Sequence, residues 1–175
     1  CDNLTSIVIP KSLISIGDAA FEHCNNLTEI VVHEDNMHFC SENGVLFNKN
    51  KTELIQYPRG KQDTSYTIPS SVTTIGNMAF WGCSDLKSVG IGKNLTDIGN
   101  KAFYDCWNLS NVVIPESVIE IGGTAFSQYQ TGAPSTLESV TFGSKLEEIG
   151  SNLGEQSQGE NVFFALSDIL VLFLV

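Results

Sequence analysis

The chain has 175 residues, of which 42% are apolar and 17% are charged, a composition typical of a folded domain rather than a disordered segment. Nine lysine and arginine residues against twenty aspartate and glutamate residues give a formal net charge of −11. An acidic surface repels polyanions, so this charge argues against nucleic acids and anionic membrane surfaces as partners.

The first residues already belong to a repeating pattern. Cys1-Asp2-Asn3-Leu4 is similar to the tetrapeptide CNNL at residues 24–27, and the sequence does not open with a signal-peptide pattern. We therefore interpret the start of the sequence as the end of a preceding repeat. We expect the chain to be part of a longer protein, with its secretion signal outside this sequence.

A repeating unit dominates the sequence. An Ile-Gly pair marks each of five units, and Ala-Phe follows three positions after the glycine in four of them. The pairs begin at Ile16, Ile75, Ile98, Ile121 and Ile149, so successive pairs are separated by 59, 23, 23 and 28 positions. We interpret 23 as the period, and 59 and 28 as that period lengthened by insertions of 36 and 5 positions. Five units exceed the roughly three that a repeat protein needs for stability.

Each unit predicts one strand and one return segment. Ile7 and Ile9 alternate along the chain, which is typical of a strand with one buried face, and Pro10 ends that strand. Apolar residues three and four apart, from Leu13 to Cys24, then favour a short helical or irregular return segment. One unit cannot bury its own apolar face, so the units stack with their strands parallel. The predicted fold is an α/β, β-rich solenoid of 23-residue repeats.

The full consensus resembles a known family. The segments LTSIVIP (4–10), LISIGDAAFEHC (13–24) and LSNVVIPESVIEIGGTAF (109–126) are similar to bacterial BspA-like leucine-rich repeats, and the resemblance extends over residues 1–150. It implies a right-handed leucine-rich-repeat solenoid with parallel strands on its concave face, in a cell-surface or secreted bacterial protein. It also implies adhesion or binding to host and matrix proteins, without a catalytic site.

Residues 33–67 interrupt the repeat and are interpreted as an insertion. Within them, residues 44–48 and 52–57 are apolar-rich runs separated by Lys49-Asn50-Lys51, a pattern that predicts a β-hairpin. Insertions in solenoids project from one face, so the hairpin is a candidate contact surface. The alternative is that it packs on the neighbouring coil. The candidate ligand-binding residues of the hairpin are Phe39, Phe47, Tyr57, Arg59 and Lys61.

The outward positions of the predicted strands form a second candidate surface. Their side chains are small and mostly uncharged, which suits contact with a protein or a glycan and equally suits plain β-sheet packing. The candidate ligand-binding residues are Ser6, Val8, Glu29, Val31, Ser88, Gly90, Asn111, Val113, Ser139 and Thr141.

No pattern in the sequence predicts an enzyme. It contains no Gly-rich phosphate loop, no Gly-x-Ser-x-Gly and no His-Glu-x-x-His, and we expect no catalytic residue, metal or cofactor. His33, His38 and Cys40 lie close in sequence, but their spacing matches no standard zinc site, so we expect solvated histidines in a loop. The cysteines of the repeat share one position after the inward phenylalanine and are expected to be buried rather than reactive or disulfide-bonded. They are Cys1, Cys24, Cys83 and Cys106.

Residues 151–175 depart from the repeat and are interpreted as an irregular segment with an apolar tail. Residues 169–175 (ILVLFLV) are uninterrupted apolar, but the tail is shorter than the ~20 residues that span a bilayer. Three interpretations stay open: a buried terminal strand, the start of a truncated membrane span, or a non-native tail. Membrane association is expected only through this tail or through segments outside the sequence.

Together these patterns predict a non-enzymatic interaction or adhesion module of a bacterial cell-surface or secreted protein. The expected partner is an extracellular protein or glycan. The alternative is a structural spacer that presents other domains of a larger surface protein.

Overall fold

The protein is a β-rich solenoid in which successive coils of the chain stack on one another. A computed structural model describes residues 1, 3–128 and 136–150, together with the backbone of residues 163–166. In chain order the strands are β1 (Ser6–Ile9), β2 (Glu29–Val32), β3 (Phe39–Glu42), β4 (Val45–Asn48), β5 (Glu53–Gln56), β6 (Ser65–Thr67), β7 (Thr74–Ile75), β8 (Ser88–Gly90), β9 (Asp97–Ile98), β10 (Asn111–Val113), β11 (Glu120–Ile121), β12 (Ser139–Phe142), β13 (Glu148–Ile149) and β14 (Phe163–Leu166).

The first strand of each coil pairs in parallel with its counterpart in a neighbouring coil. The pairings are β1 with β2, β6 with β8, β10 with β12, and β12 with β14. The register keeps the repeat in phase, so that Ser6 lies opposite Glu29 and Ser65 lies opposite Ser88. Parallel pairing of this kind confirms the stacked-repeat architecture that the period of the sequence predicts.

A second sheet collects the short strands at the Ile-Gly pairs. Its order is β13-β11-β9-β7-β5-β4-β3. The strand pairs β5–β7, β7–β9, β9–β11 and β11–β13 are parallel. Ile75 lies opposite Ile98, and Ile98 lies opposite Ile121. At the other end, β3, β4 and β5 form an antiparallel meander. The predicted hairpin therefore exists as β4 and β5, with β3 as an additional strand.

The insertion enlarges one coil and does not form a module separate from the repeat. β5 places Leu54 opposite Ile75, so it supplies the short strand of the second coil. β6 supplies the first strand of the third coil and lies within the residues that the sequence assigns to the insertion. The long gap between the first two Ile-Gly pairs therefore holds one enlarged coil followed by one coil of regular length.

The core contains a column of stacked rings that we call the aromatic ladder: Tyr57, Phe80, Phe103 and Phe126. Successive ring centroids are 5.2, 4.8 and 5.2 Å apart, and the ring planes differ by 23°, 13° and 4°. All four side chains are buried. Each ring therefore removes apolar area from water and also contacts its neighbour in the next coil, which couples the coils energetically.

The return segments consist of turns, and the described residues contain no helix. The irregular alternative is thus the correct one, and the fold is β-rich without an α component in this part of the chain. Ala19, Met78, Lys101 and Thr124 occupy the same repeat position, and all have φ between 53° and 61°. Non-glycine residues seldom adopt such φ values, so their recurrence shows that a left-handed turn residue belongs to the coil geometry.

The parallel pairing of the first strands of successive coils continues beyond Gly150, because β14 pairs in parallel with β12 and places Phe163 opposite Ser139. The apolar tail at 169–175 lies outside the described residues, as does most of the segment 151–175 that departs from the repeat. Among the residues that the structure describes, there is no helix with the length and apolar character needed for a membrane crossing.

Candidate functional site

The outward side chains on the first strand of each coil form one surface, which we call the strand face. All ten residues predicted from the alternation lie on β1, β2, β8, β10 and β12 and are exposed or half-exposed. Val8 is 64% exposed and Val113 is 68% exposed, values typical of surface positions although both side chains are apolar. The alternation in the sequence therefore predicted the direction of these side chains correctly.

The prediction from the sequence omits two members of the strand face. Ser65 and Thr67 on β6 are exposed and lie opposite Ser88 and Gly90. The signal was present in the sequence, because SYTIP at residues 65–69 follows the same pattern as SIVIP at residues 6–10. Tyr66 stands where the pattern has isoleucine, and the assignment of residues 33–67 to an insertion hid the match.

The strand face is nearly uncharged. Glu29 is its single charged residue among the twelve described positions. Ser139 donates a hydrogen bond from its Oγ to Asn111 Oδ1 at 2.7 Å, which orders two polar side chains of adjacent coils. A Cβ at Gly90 would lie 3.3 Å from Thr67 Oγ1, so a larger residue at this position would crowd the Thr67 side chain.

The outward positions of the second sheet are acidic by contrast. In register these positions hold Glu53, Thr74, Asp97, Glu120 and Glu148. We call them the acidic face. Carboxylates on neighbouring strands repel one another, so this face costs some stability and makes that side of the solenoid unattractive to anions.

The aromatic residues predicted to bind a ligand through the hairpin are buried, and this part of the prediction is wrong. Phe47 and Tyr57 have no exposed area, and Phe39 is 8% exposed. The sequence pattern could not show this, because side chains of the meander pack into two cores, one in the first coils and one shared with the aromatic ladder. Phe39 packs with Leu46 in the core of the first coils, whereas Phe47 belongs to the core shared with the aromatic ladder.

The two basic residues of the hairpin prediction remain partly accessible. Lys61 places its Nζ 3.4 Å from Asp63 Oδ2 and donates a hydrogen bond to Asn43 O at 3.2 Å. Arg59 donates from Nε to Gly82 O at 3.1 Å. Lys61 thus has a carboxylate partner, whereas the hydrogen bond of Arg59 is with a backbone carbonyl.

Tyr57 has a polar contact at the end of its buried ring. Its hydroxyl donates a hydrogen bond to Asp63 Oδ2 at 2.7 Å. This hydrogen bond holds the pKa of Asp63 below its ordinary value, and burial raises the pKa of Tyr57 far above its own. The contact anchors the chain where the second coil passes into the third.

Three cysteines of the repeat are buried, as predicted: Cys24 lies in the core of the first coils, and Cys83 and Cys106 lie in the core shared with the aromatic ladder. Cys24, Cys83 and Cys106 are at most 3% exposed, and all five cysteines of the chain are free thiols. Cys106 donates from Sγ to Phe80 O at 3.1 Å. Burial raises the pKa of Cys106 to about 12 and also raises that of Cys83, so both remain protonated and unreactive at neutral pH. Cys1, the first residue of the sequence, is exposed.

The histidines near the hairpin do not converge on a metal site. Asp35 donates its backbone N–H to His33 Nδ1 at 3.2 Å, and the His38 ring lies 6.4 Å from the Phe39 ring. Within the part of the chain that the structure describes, no three His, Cys, Asp or Glu side chains are placed to hold a metal ion together.

Comparison with known families identifies the repeat. The family described as "BspA type Leucine rich repeat region" matches residues 1–61 and 56–169, with six copies of its repeat. The six copies agree with a structure in which residues 33–67 contain most of an additional coil. A comparison with curated proteins finds no match.

Several solved bacterial structures are similar to this one. A leucine-rich repeat protein from Eubacterium ventriosum is 32% identical with a TM-score of 0.68, over 86% of this chain and 49% of that one. The pneumococcal vaccine antigen PcpA is 27% identical with a TM-score of 0.73, over 95% and 46%. A leucine-rich cell surface protein from Faecalibacterium prausnitzii is 23% identical with a TM-score of 0.62, over 95% and 48%, and supports the fold alone. The chain thus spans about half the length of these proteins.

Proposed function

The chain belongs to the BspA-type leucine-rich-repeat family, and from this premise we propose that it is a non-enzymatic interaction module that binds an extracellular protein or glycan through the strand face. Repeat solenoids of this kind present an extended surface whose shape is fixed by the stacking of coils. Binding to such a surface needs no cofactor.

The observation that carries the proposal is the segregation of charge between the two sides of the solenoid. Four of the five positions of the acidic face are carboxylates, whereas Glu29 is the single charge among twelve positions of the strand face. The cores of protein interfaces are depleted in charged residues. Val8, Val31 and Val113 are exposed and place apolar area in contact with water. Burial of that area against a partner would be favourable, and such exposed apolar area is typical of interaction sites.

We propose a location on the bacterial cell surface or outside the cell. The similarity to a pneumococcal vaccine antigen supports this location, since antigens of bacteria are commonly exposed to the host. The net charge of −11 supports a partner other than nucleic acid.

A structural spacer is the second candidate, and the side-chain contacts along the solenoid axis favour it. Asn77 Oδ1 accepts from the backbone N–H of Asn100, and Asn100 Oδ1 accepts from that of Gly123, both at 2.8 Å. Such a ladder stiffens the stack of coils without contributing to recognition. Such coupling between adjacent coils suits the presentation of other domains.

A binding experiment separates the two candidates. The 175-residue chain is immobilised and tested against a panel of extracellular-matrix proteins and glycans. Saturable binding that falls at least tenfold in Val113→Lys, but not in the matched variant Ile119→Lys, supports the module. Val113 and Ile119 are both exposed apolar residues, and Ile119 lies outside the strand face. Absence of saturable binding to every member of the panel would favour the spacer.

A further inference from the structure

The row of parallel strands that carries the strand face is interrupted between its second and third coils. β1 pairs with β2, and β6 pairs with β8, which has β10 beside it. No Cα atom of β2, β3 or β4 lies within 8 Å of a Cα atom of β6. Neighbouring strands of a sheet are only about 4.7–4.9 Å apart, so none of these three strands pairs with β6. We call the space on the outer side of β6 the β6 opening.

The enlarged coil covers the edge of β2 with the turn between β3 and β4. This turn is Asn43-Gly44, and Ile30 N donates to Gly44 O at 2.9 Å. Val32 N donates to Ser41 Oγ at 3.0 Å. These hydrogen bonds use the N–H groups of β2 that point away from β1. The turn therefore occupies the place where β2 would otherwise meet a neighbouring strand, and the edge of β6 is left without one.

The outer edge of β6 presents two backbone donors and two backbone acceptors. Ile68 N donates to Gly90 O at 3.0 Å, so Ile68 turns its N–H group towards β8. The direction alternates from residue to residue along a paired strand, and Ser65 and Thr67 therefore turn their N–H and C=O groups away from β8. These four groups have no hydrogen-bond partner among the described residues. Both residues are exposed, so the edge is accessible to another chain.

Tyr66 lies under the β6 opening and is half-exposed. The inward residues at the same position of four other coils are all buried: Ile30, Val89, Val112 and Val140. Ile7 is half-exposed as well, and its strand β1 has no described strand on its outer side. The Tyr66 ring lies 4.9 Å from that of Tyr57 in the aromatic ladder. A strand beside β6 would thus cover apolar area at the edge of the core.

The surroundings of the β6 opening are acidic. Burial and the nearby carboxylate of Glu42 raise the pKa of Tyr66 to about 12, which places Glu42 beside the opening. Glu42 forms an ion pair with Lys51, whereas Glu29 beside the turn forms none among the described residues. The chain as a whole has a net charge of −11. This field attracts cations, so it favours a segment with basic side chains over an acidic one.

We propose that the β6 opening binds an extended basic segment of a partner protein, which adds to β6 as a further parallel or antiparallel strand. Main-chain hydrogen bonds to Ser65 and Thr67 provide affinity, and alternate side chains of the segment contact Tyr66 and solvent. A single extended segment fits better than the edge of a second folded sheet, because β2 and its covering turn bound the opening on the other side. This binding uses backbone groups of one edge and goes beyond the recognition proposed for the strand face.

The test is fluorescence anisotropy of a labelled peptide of sequence KVTVTVK, titrated with the 175-residue chain. We expect saturable binding that Thr67→Pro weakens at least tenfold, because proline removes the Thr67 N–H. Proline is tolerated where the missing N–H faces solvent at a sheet edge. The matched variant Thr67→Ala keeps the N–H and should change affinity less than threefold. Val113→Lys, which tests the strand face, should leave this affinity unchanged.

Hydrogen exchange of the wild type tests the proposal even if Thr67→Pro fails to fold. The peptide should slow exchange of the Ser65 and Thr67 amides at least tenfold and leave the amide of Val8, on the outer edge of β1, unchanged. The acidic peptide EVTVTVE should bind at least tenfold more weakly. Absence of saturable binding, unchanged exchange at Thr67, protection of Val8 in its place, or equal binding of the acidic peptide would each overturn the proposal.

Discussion

Tyr57 stacks on Phe80 with ring centroids 5.2 Å apart and ring planes 23° apart. The two residues are separated by 23 positions, as are Phe80 and Phe103. The backbone follows the same rule, because Tyr57 N donates to Ala79 O and Phe80 N donates to Ala102 O, both at 2.8 Å. Tyr57 therefore holds the phenylalanine position of the second coil, and the aromatic ladder continues through the coil that the sequence presents as an interruption.

Removing the Tyr57 ring should destabilise the protein strongly. Tyr57→Ala leaves a cavity in the fully buried ladder, and we expect a loss of about 3–5 kcal/mol in the free energy of unfolding. Tyr57→Phe is the matched control, since it keeps the ring and removes the hydrogen bond to Asp63, at a cost of about 1 kcal/mol. Denaturant titration measures both. Similar costs for the two variants would contradict the role of Tyr57 in the ladder.

The Tyr57 hydroxyl also predicts a change in the titration of Asp63. Its hydrogen bond is the largest cause that lowers the pKa of Asp63, so Tyr57→Phe should raise that pKa towards its ordinary value. A depressed carboxyl pKa contributes stability above the unfolded pKa and loses it as the pH falls. The variant should therefore lose less stability on acidification than the wild type does. NMR titration of the Asp63 side chain measures the shift, and Lys61→Gln should change it less. An unchanged pKa in Tyr57→Phe would rule out this hydrogen bond in solution.

The fold follows from the sequence wherever the repeat is regular. Ile75, Ile98 and Ile121 recur at a constant spacing, and hydrogen bonding of stacked coils requires that spacing to be kept. The repeat pattern does not reveal the second coil, and the reason is physical. Leu54 takes the isoleucine position and Tyr57 the phenylalanine position, while the meander moves both away from their usual distance after β2.

The candidate site was predictable in part, because the direction of a side chain on a strand follows from alternation. Val8 and Val113 are exposed as expected, although apolar character alone would suggest burial. The burial of Phe47 was not predictable, since β4 lies between two other strands with both faces covered. The placement of Arg59 over Gly82 depends on contacts between residues of different coils, which the spacing of single residues does not reveal.

Two glycines at the same position of the repeat should differ in their tolerance of a side chain. A Cβ at Gly122 would lie 2.4 Å from Asn100 N, whereas a Cβ at Gly17 would have no atom within 4 Å. Gly122→Ala must displace backbone of the neighbouring coil, and we expect it to cost about 1–3 kcal/mol. Gly17→Ala should change stability by less than about 0.5 kcal/mol. Thermal unfolding of both variants measures the difference. Equal effects would contradict the close stacking of the coils at Gly122.

The buried thiols predict a loss of stability at alkaline pH. Burial raises the pKa of Cys106 to about 12 from an ordinary value of 9.0, and it raises that of Cys83 in the same direction. The folded protein therefore holds these protons more tightly than the unfolded chain does. The resulting stability is fully present below the unfolded pKa and is lost as the pH rises through the folded pKa. We expect the free energy of unfolding to fall between about pH 9 and 12, by up to about 1.4 kcal/mol per pH unit for each thiol.

The control for this pH dependence is Cys106→Ala, which removes one titrating group. Tyr66, whose pKa burial raises to about 12, contributes a slope of the same sign in both proteins and cancels in the comparison. The variant is less stable throughout because it loses buried volume, so the slope against pH is the quantity to compare. Denaturant titrations at pH 9, 10 and 11 should give a shallower decline for Cys106→Ala than for the wild type. Parallel declines would mean that the Cys106 thiol titrates normally in the folded protein and is accessible to water.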